Sequence, residues 1–220
     1  MNDYTVTGII LKAEPIGDYD RRIVLLTKER GKISVFAKGA LRPTNRFVAC
    51  TMPFVFGTFE LYAGANSFSL NKAEVANYFE VFRKDLLLNA YGSYFLEISD
   101  YYGRENADNI GLMRLLYKAL LLLEEGKTDS DFVKTVFEMK AVMLDGEFPG
   151  IPDEKDLPQG AKKAVRYIYD SKPENAFSFQ VSEETFKKLQ KETESICKRT
   201  FERDFASLEM IRFAKEMKET

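Results

Sequence analysis

The chain has 220 residues, 45% of them hydrophobic, and a formal net charge of −2 without a single histidine. That length admits one large domain or two small ones, and no stretch of about 20 residues is apolar enough for a membrane span. The missing histidine removes the usual general base, the Ser-His and Cys-His nucleophile pairs and the commonest soft metal ligand. Cys50 and Cys197 lie far apart with no Cys-x-x-Cys, so they read as reduced, buried thiols and not as a zinc site. Neither glycine-rich phosphate loop occurs, so no cofactor is expected. The N-terminus lacks a basic flank followed by an apolar core, and a cytoplasmic location is expected.

Residues 1–78 read as β. Thr5–Ala13, Arg22–Thr27, Lys32–Lys38, Thr51–Tyr62 and Phe68–Val75 are short runs rich in β-branched and aromatic residues. Gly17-Asp18, Glu29-Arg30-Gly31 and Ala63-Gly64-Ala65-Asn66 supply turn chemistry between them. Five strands in this length fit a small closed barrel. Side-chain alternation in the third strand sends Ile33, Val35 and Ala37 one way and Lys32, Ser34, Phe36 and Lys38 the other.

The same region holds the most unusual feature of the chain. Between Arg21 and Arg46 stand Arg21, Arg22, Lys28, Arg30, Lys32, Lys38, Arg42 and Arg46 against one acid, Glu29, a local charge of +7. Phosphate neutralisation with counterion release drives sequence-independent nucleic-acid affinity, so this block marks a polyanion address. Lysines flanking an outward aromatic suit single-stranded nucleic acid, where phosphates meet the amines and a base stacks on the ring. Lys12, Arg21, Arg22, Lys28, Arg30, Lys32, Phe36, Lys38, Arg42 and Arg46 are the candidate binding residues, with Lys32, Lys38, Arg42 and Arg46 foremost. Tyr19 and Phe47 are further stacking candidates.

From about residue 79 the period becomes helical, and the likeliest domain boundary is Val75–Phe82 with no flexible linker. Phe82, Leu86, Ala90, Tyr94, Ile98 and Tyr101 form one stripe, and Leu112–Leu123 is apolar nearly all round, as in a central helix. Gly126 suits a left-handed stop, and Asp129 or Ser130 suits the next N-cap, ahead of Phe132, Val133, Val136, Phe137, Met139 and Met143. Residues 146–158 read as a loop and Ala161–Tyr169 as a helix. Ser182 is a predicted N-cap with Val181 and Phe186 spaced as a hydrophobic staple. The helix after it points Phe186, Leu189, Ile196 and Phe201 inward. The last, Phe205–Met217, buries Phe205, Leu208, Ile211 and Met210. The whole is an α+β chain, with a small five-stranded closed barrel (1–78) before an all-α domain (79–220).

Several segments resemble the RecO family of bacterial recombination mediators. They are Gly8-Ile9-Ile10-Leu11-Lys12, the run Asp20 to Lys32, Ala37-Lys38-Gly39-Ala40, Arg42-Pro43, Pro53-Phe54 and Gly57-x-Phe59-Glu60-Leu61-Tyr62. The block LTKERGKISVFAKGA carries most of the resemblance, and Asp204-Phe205-Ala206-Ser207-Leu208 is similar to the family's closing element. The resemblance implies an N-terminal OB-fold, an oligonucleotide-binding barrel, followed by a helical domain, and a non-enzymatic DNA repair function: binding of single- and double-stranded DNA, annealing of complementary strands, and loading of recombinase onto strands coated by single-strand-binding protein. It implies as partners DNA, RecR and the acidic C-terminal tail of single-strand-binding protein. Many members carry a four-cysteine zinc element after a segment like Leu144-x-Gly146-x-x-Pro149; here residues 151–164 hold no cysteine, so that site is absent. Leu41 also departs from the family, which often has a basic residue there.

Two rival readings remain on residues alone: a pure protein scaffold without DNA contact, and a metal-dependent nuclease or phosphodiesterase. Glu14, Asp18 and Asp20 lie close in sequence, and clustered carboxylates hold Mg²⁺ in nucleases and phosphodiesterases.

Overall fold

The computed structural model describes residues 3–64, 67–150 and 157–219. Five strands, β1 (Asp3–Ile16), β2 (Asp20–Thr27), β3 (Gly31–Ala37), β4 (Phe56–Ala63) and β5 (Phe68–Asn77), close into a barrel in the order β1-β2-β3-β5-β4. All pairings are antiparallel except β3 with β5, which run parallel through Val35–Phe68 and Phe36–Ser69. The inward set, including Val6, Ile10, Ile23, Leu25, Ile33, Val35, Phe59 and Leu61, fills the barrel. A short helix α1 (Phe47–Cys50) buries Phe47 and Cys50 against the same core.

Only the second half of the expected Thr51–Tyr62 strand is strand. Pro53 has no N–H to give a ladder, and Phe54 takes a left-handed φ of 73°. The chain crosses at the β1 bulge instead: Phe54 N donates to the Ile10 carbonyl and Ile10 N donates to the Val55 carbonyl, both at 3.0 Å. Phe54 then stacks on Phe82 at 4.8 Å between ring centroids.

A single 3₁₀ turn, Glu80–Arg83, leads into the helices. These are α2 (Leu86–Tyr102), α3 (Ile110–Glu125), α4 (Ser130–Asp145), α5 (Gln159–Asp170), α6 (Glu183–Thr200) and α7 (Ala206–Glu219). Their punctuation follows the sequence. Asp129 caps α4 by accepting from Phe132 N at 2.9 Å, Ser182 caps α6 by accepting from Thr185 N at 3.3 Å, and Gly126 ends α3 with φ 65°. Residues 65–66 of the expected β4–β5 turn and 151–156 of the expected loop lie outside the described residues.

Two inward assignments and one outward assignment are reversed. Leu86 is 50% exposed because Asp85 caps α2 immediately before it, placing it at the solvent end of its stripe. Met210 is 42% exposed because α7 turns Ser207, Ile211 and Ala214 to the core instead. Phe47, a stacking candidate, is core: it closes one end of the barrel at 8% exposure.

The two halves share one apolar core. Ile9, Leu11 and Leu26 on the outside of the barrel, with Phe54, pack with Phe79, Phe82, Tyr94, Phe95 and the centres of α3 and α4. Burying outward leucines and isoleucines at about 1.5–3 kcal/mol per side chain ties the barrel to the bundle. It also removes part of the outer sheet face from solvent.

Candidate nucleic-acid interface

The outward face of the β2–β3 ribbon carries three cross-strand pairs: Arg22 opposite Phe36, Val24 opposite Ser34, and Leu26 opposite Lys32. Their fates differ along the ribbon. Leu26 is fully buried against the helices, and Val24 packs beside it. Lys32 reaches α2, where its Nζ donates to the Asp100 backbone carbonyl at 2.6 Å and to Oδ1 at 3.2 Å. Lys12 meets the other oxygen of Asp100 at 2.7 Å. Burial pushes the Asp100 carboxyl up, but the two lysines outweigh it and hold its pKa below the ordinary value. Lys12 and Lys32 therefore serve the junction between barrel and bundle.

The open part of the face is a groove of about 390 Å³. Arg22, Ser34 and Phe36 line it from the ribbon, Phe68 and Tyr4 from β5 and β1, Arg30 from the β2–β3 turn, and Glu105 and Asn106 from the α2–α3 loop. Arg30 stacks over the Tyr4 ring at 3.9 Å to the centroid, and Tyr4 meets Phe68 edge to face at 5.9 Å. A stacked guanidinium keeps its donors free for phosphate. Arg22 is paired with Glu14 at 2.6 Å, in an exposed contact that water and salt weaken. Two arginines thus lie along one aromatic-lined groove on the β2–β3 face, the surface that barrels of this type use for oligonucleotides.

Beyond the other end of β3, the segment 38–46 gathers the remaining cations. Gly39 N donates to Asp20 Oδ1 at 2.7 Å and Leu41 N to the Tyr19 carbonyl at 2.9 Å, so this segment is fastened to the β1–β2 turn. Arg42 stacks on the exposed Tyr19 ring at 4.4 Å. Arg46 donates to the Asn71 carbonyl at 2.6 Å and covers Phe47. Lys38 is exposed beside them, and Lys28 is exposed in the β2–β3 turn. Arg21 is structural: it donates to Thr51 Oγ1 at 2.6 Å and the Val48 carbonyl at 3.1 Å, and burial lowers its pKa.

The acidic trio takes separate partners. Glu14 faces Arg22, and Asp20 accepts from Gly39 N, with Asp18 in the turn between. Among the described residues no group of three or more His, Cys, Asp or Glu side chains is set to hold a metal ion.

Sequence reasoning passed over Tyr4, Ser34, Phe68, Glu105 and Asn106 as groove residues. Ser34 stood in the outward set of the third strand, which was the signal available for it. Glu105 and Asn106 come from a loop some 70 positions away and carried none. Among the described residues, no helix is long and apolar enough to cross a membrane.

Two family models match the chain: "Recombination protein O N terminal" over residues 1–79 and "Recombination protein O C terminal" over residues 83–149. A DNA repair protein RecO of Acetivibrio thermocellus is 28% identical over a 244-residue alignment that covers 96% of this chain and 97% of that protein. The DNA repair protein RecO of Bacillus subtilis is 29% identical across 90% of this chain and 68% of its own length. That of Bacillus pumilus is 34% identical across 64% of this chain and 55% of its own length.

Proposed function

The chain belongs to the RecO family of DNA repair proteins, and on that premise we propose that it is a non-enzymatic recombination mediator: it binds single- and double-stranded DNA, anneals complementary strands, and helps load recombinase onto strands coated by single-strand-binding protein. The observation that carries this reading is the groove in which Arg22 and Arg30 flank Ser34, Phe36 and Phe68 on the open half of the β2–β3 face. Arginines hold the phosphates, and the rings receive unpaired bases. Lys28, Lys38, Arg42 and Arg46 extend the cationic surface past both ends of the ribbon. Two strands drawn to such a surface have their mutual repulsion screened while their base edges stay free to pair. No bond is made or broken, so no catalytic residue is required.

RecR and the acidic tail of single-strand-binding protein are the proposed protein partners. A tail that ends in a carboxylate and carries apolar residues fits an apolar cleft with a basic rim. The cleft of about 330 Å³ between α4, α6 and α7 offers Phe201, Phe205, Leu208 and Ile211 as apolar walls and Lys198, Arg203 and Arg212 as cations, alongside the acids Asp131, Glu138, Glu194 and Asp204. The deciding experiment is strand annealing on DNA pre-coated with single-strand-binding protein, with and without RecR. Faster annealing than the uncatalysed rate, with strand lengths unchanged in Mg²⁺ or Mn²⁺, supports the mediator. Shortened strands support a nuclease, and unchanged annealing refutes the proposal.

A further inference from the structure

We propose that the α2–α3 loop, residues 104–109, is a strand selector: its acidic lip beside the Arg22–Phe36–Arg30 groove admits one unpaired strand and turns duplex away. This inference rests on the DNA-binding reading above.

The loop belongs to the helical half but is fastened to the β2–β3 turn of the barrel. Lys32 N donates to the Arg104 carbonyl at 3.0 Å, and Asn106 N donates to the Arg30 carbonyl at 3.2 Å. Gly31 and Glu105 form an antiparallel bridge. The approach is close enough that a Cβ on Gly31 would lie 2.3 Å from the Arg104 carbonyl oxygen. Within the loop, Asn109 Nδ2 donates back to the Arg104 carbonyl at 2.7 Å. Asn106 holds a left-handed φ of 54°, a conformation asparagine tolerates better than most residues. The lip is therefore fixed in place by backbone bonds and by one conformationally demanding residue.

Its carboxylates are opposite in charge to the groove floor, and its one cation, Arg104, is paired with Asp145 of α4 at 3.0 Å. Glu105 is exposed on the groove itself. Asn106 and the exposed Asp108 continue along an adjoining cleft beside Lys28 and Arg30. One sugar-phosphate chain can lie on Arg22 and Arg30 with its bases over Phe36 and Phe68. A duplex brings a second chain of phosphates, and that chain must approach the carboxylates of Glu105 and Asp108. At an exposed lip water and salt screen this repulsion, which leaves a modest bias against the second strand. Lys38 and Arg42 stand beyond the far end of β3, on the segment fastened to the β1–β2 turn and not to this loop, and are the proposed duplex surface. In annealing, the groove then holds a strand only while it is unpaired, and pairing itself expels the product.

The chain contains no tryptophan, so Phe36→Trp installs a lone fluorescent reporter in the groove. The full chain carrying this change is titrated with a short single-stranded oligonucleotide and with the blunt duplex of the same sequence, binding being followed independently by anisotropy of a dye on the DNA. The expected result is quenching of Trp fluorescence by the single strand at saturation and little quenching by the bound duplex. Adding Glu105→Lys is expected to tighten duplex binding about threefold more than single-strand binding, because it removes like-charge repulsion. Glu105→Lys with Phe36 intact gives the same ratio by anisotropy alone, free of any cost of the tryptophan. Equal quenching by both DNA forms, or an unchanged ratio of affinities in Glu105→Lys, overturns the selector. Absence of an anisotropy change with either DNA overturns the DNA-binding reading instead, so the two failures are distinct.

Discussion

Lys32 donates to both the backbone carbonyl and the carboxylate of Asp100, at 2.6 and 3.2 Å, and so joins the barrel's third strand to the end of the helix that follows it. Lys12 completes the carboxylate's pairing from the first strand. One acid of the helical half thus gathers two cations of the N-terminal region and turns both toward the joint between barrel and bundle.

Loss of this joint should show in stability and not in DNA affinity. Asp100→Asn is expected to lower unfolding free energy by about 1–3 kcal/mol, the scale of a hydrogen bond to a charged group, in urea denaturation at neutral pH. The pH dependence follows from the lowered pKa of Asp100. A carboxyl whose folded pKa lies below its unfolded value stabilises above the unfolded pKa, near 3.9, and that contribution disappears as pH falls through the folded value. The difference in stability between wild type and Asp100→Asn should therefore be constant from pH 7 to about 5 and shrink toward acid. A difference that grows on acidification contradicts this assignment.

DNA binding should depend steeply on salt. With about four to six phosphates neutralised on single strands, log affinity should fall against log salt with a slope of roughly −3 to −4. Fluorescence anisotropy across a salt series measures it. An affinity indifferent to salt rules out backbone binding.

Substitutions should sort the cations into two groups. Arg22→Ala, Arg30→Ala and the triple change of Lys38, Arg42 and Arg46 to alanine should each weaken single-strand binding to a similar degree on oligonucleotides of different sequence. Lys12→Ala should leave affinity nearly unchanged, because its amine already faces Asp100. Glu14→Gln frees Arg22 from its surface pair and should strengthen binding slightly, by no more than the 0.2–1 kcal/mol or so typical of such pairs.

Phe36→Ala tests the stacking role. Removing a ring that receives a base costs about 1–3 kcal/mol of binding, read as a loss of roughly 5- to 150-fold in affinity. Urea denaturation should show a smaller loss, because Phe36 is only half-buried at the groove.

Gly31 is the hinge of the joint between the turn and the α2–α3 loop. Its φ is 65°, and a Cβ would collide with the Arg104 carbonyl oxygen. Gly31→Ala should cost about 1–3 kcal/mol of stability, the scale of a strained left-handed residue, with accelerated hydrogen exchange at Lys32 and Asn106, whose amides donate across the joint.

The sequence by itself determined the local rules. Alternation between Gly31 and Ala37 decided that Ile33 and Val35 face inward and Ser34 and Phe36 outward, because a strand's period of two leaves no other choice. Asp129, Ser182 and Gly126 set their helix ends because capping is satisfied within a turn. The concentration of cations between Arg21 and Arg46 was legible as charge alone. Which of those cations meet solvent was decided by tertiary packing. Leu26 and Lys32 stand on the same outward face as Arg22 and Phe36, yet the helices cover the first pair and leave the second open. That division depends on Ile9, Leu11 and Leu26 sharing a core with side chains more than 50 positions away. The groove's acidic edge depends on a loop brought in by backbone bonds to Arg30 and Lys32. Neither has a local periodicity, because each arises from contact between surfaces that exist only once both halves have folded.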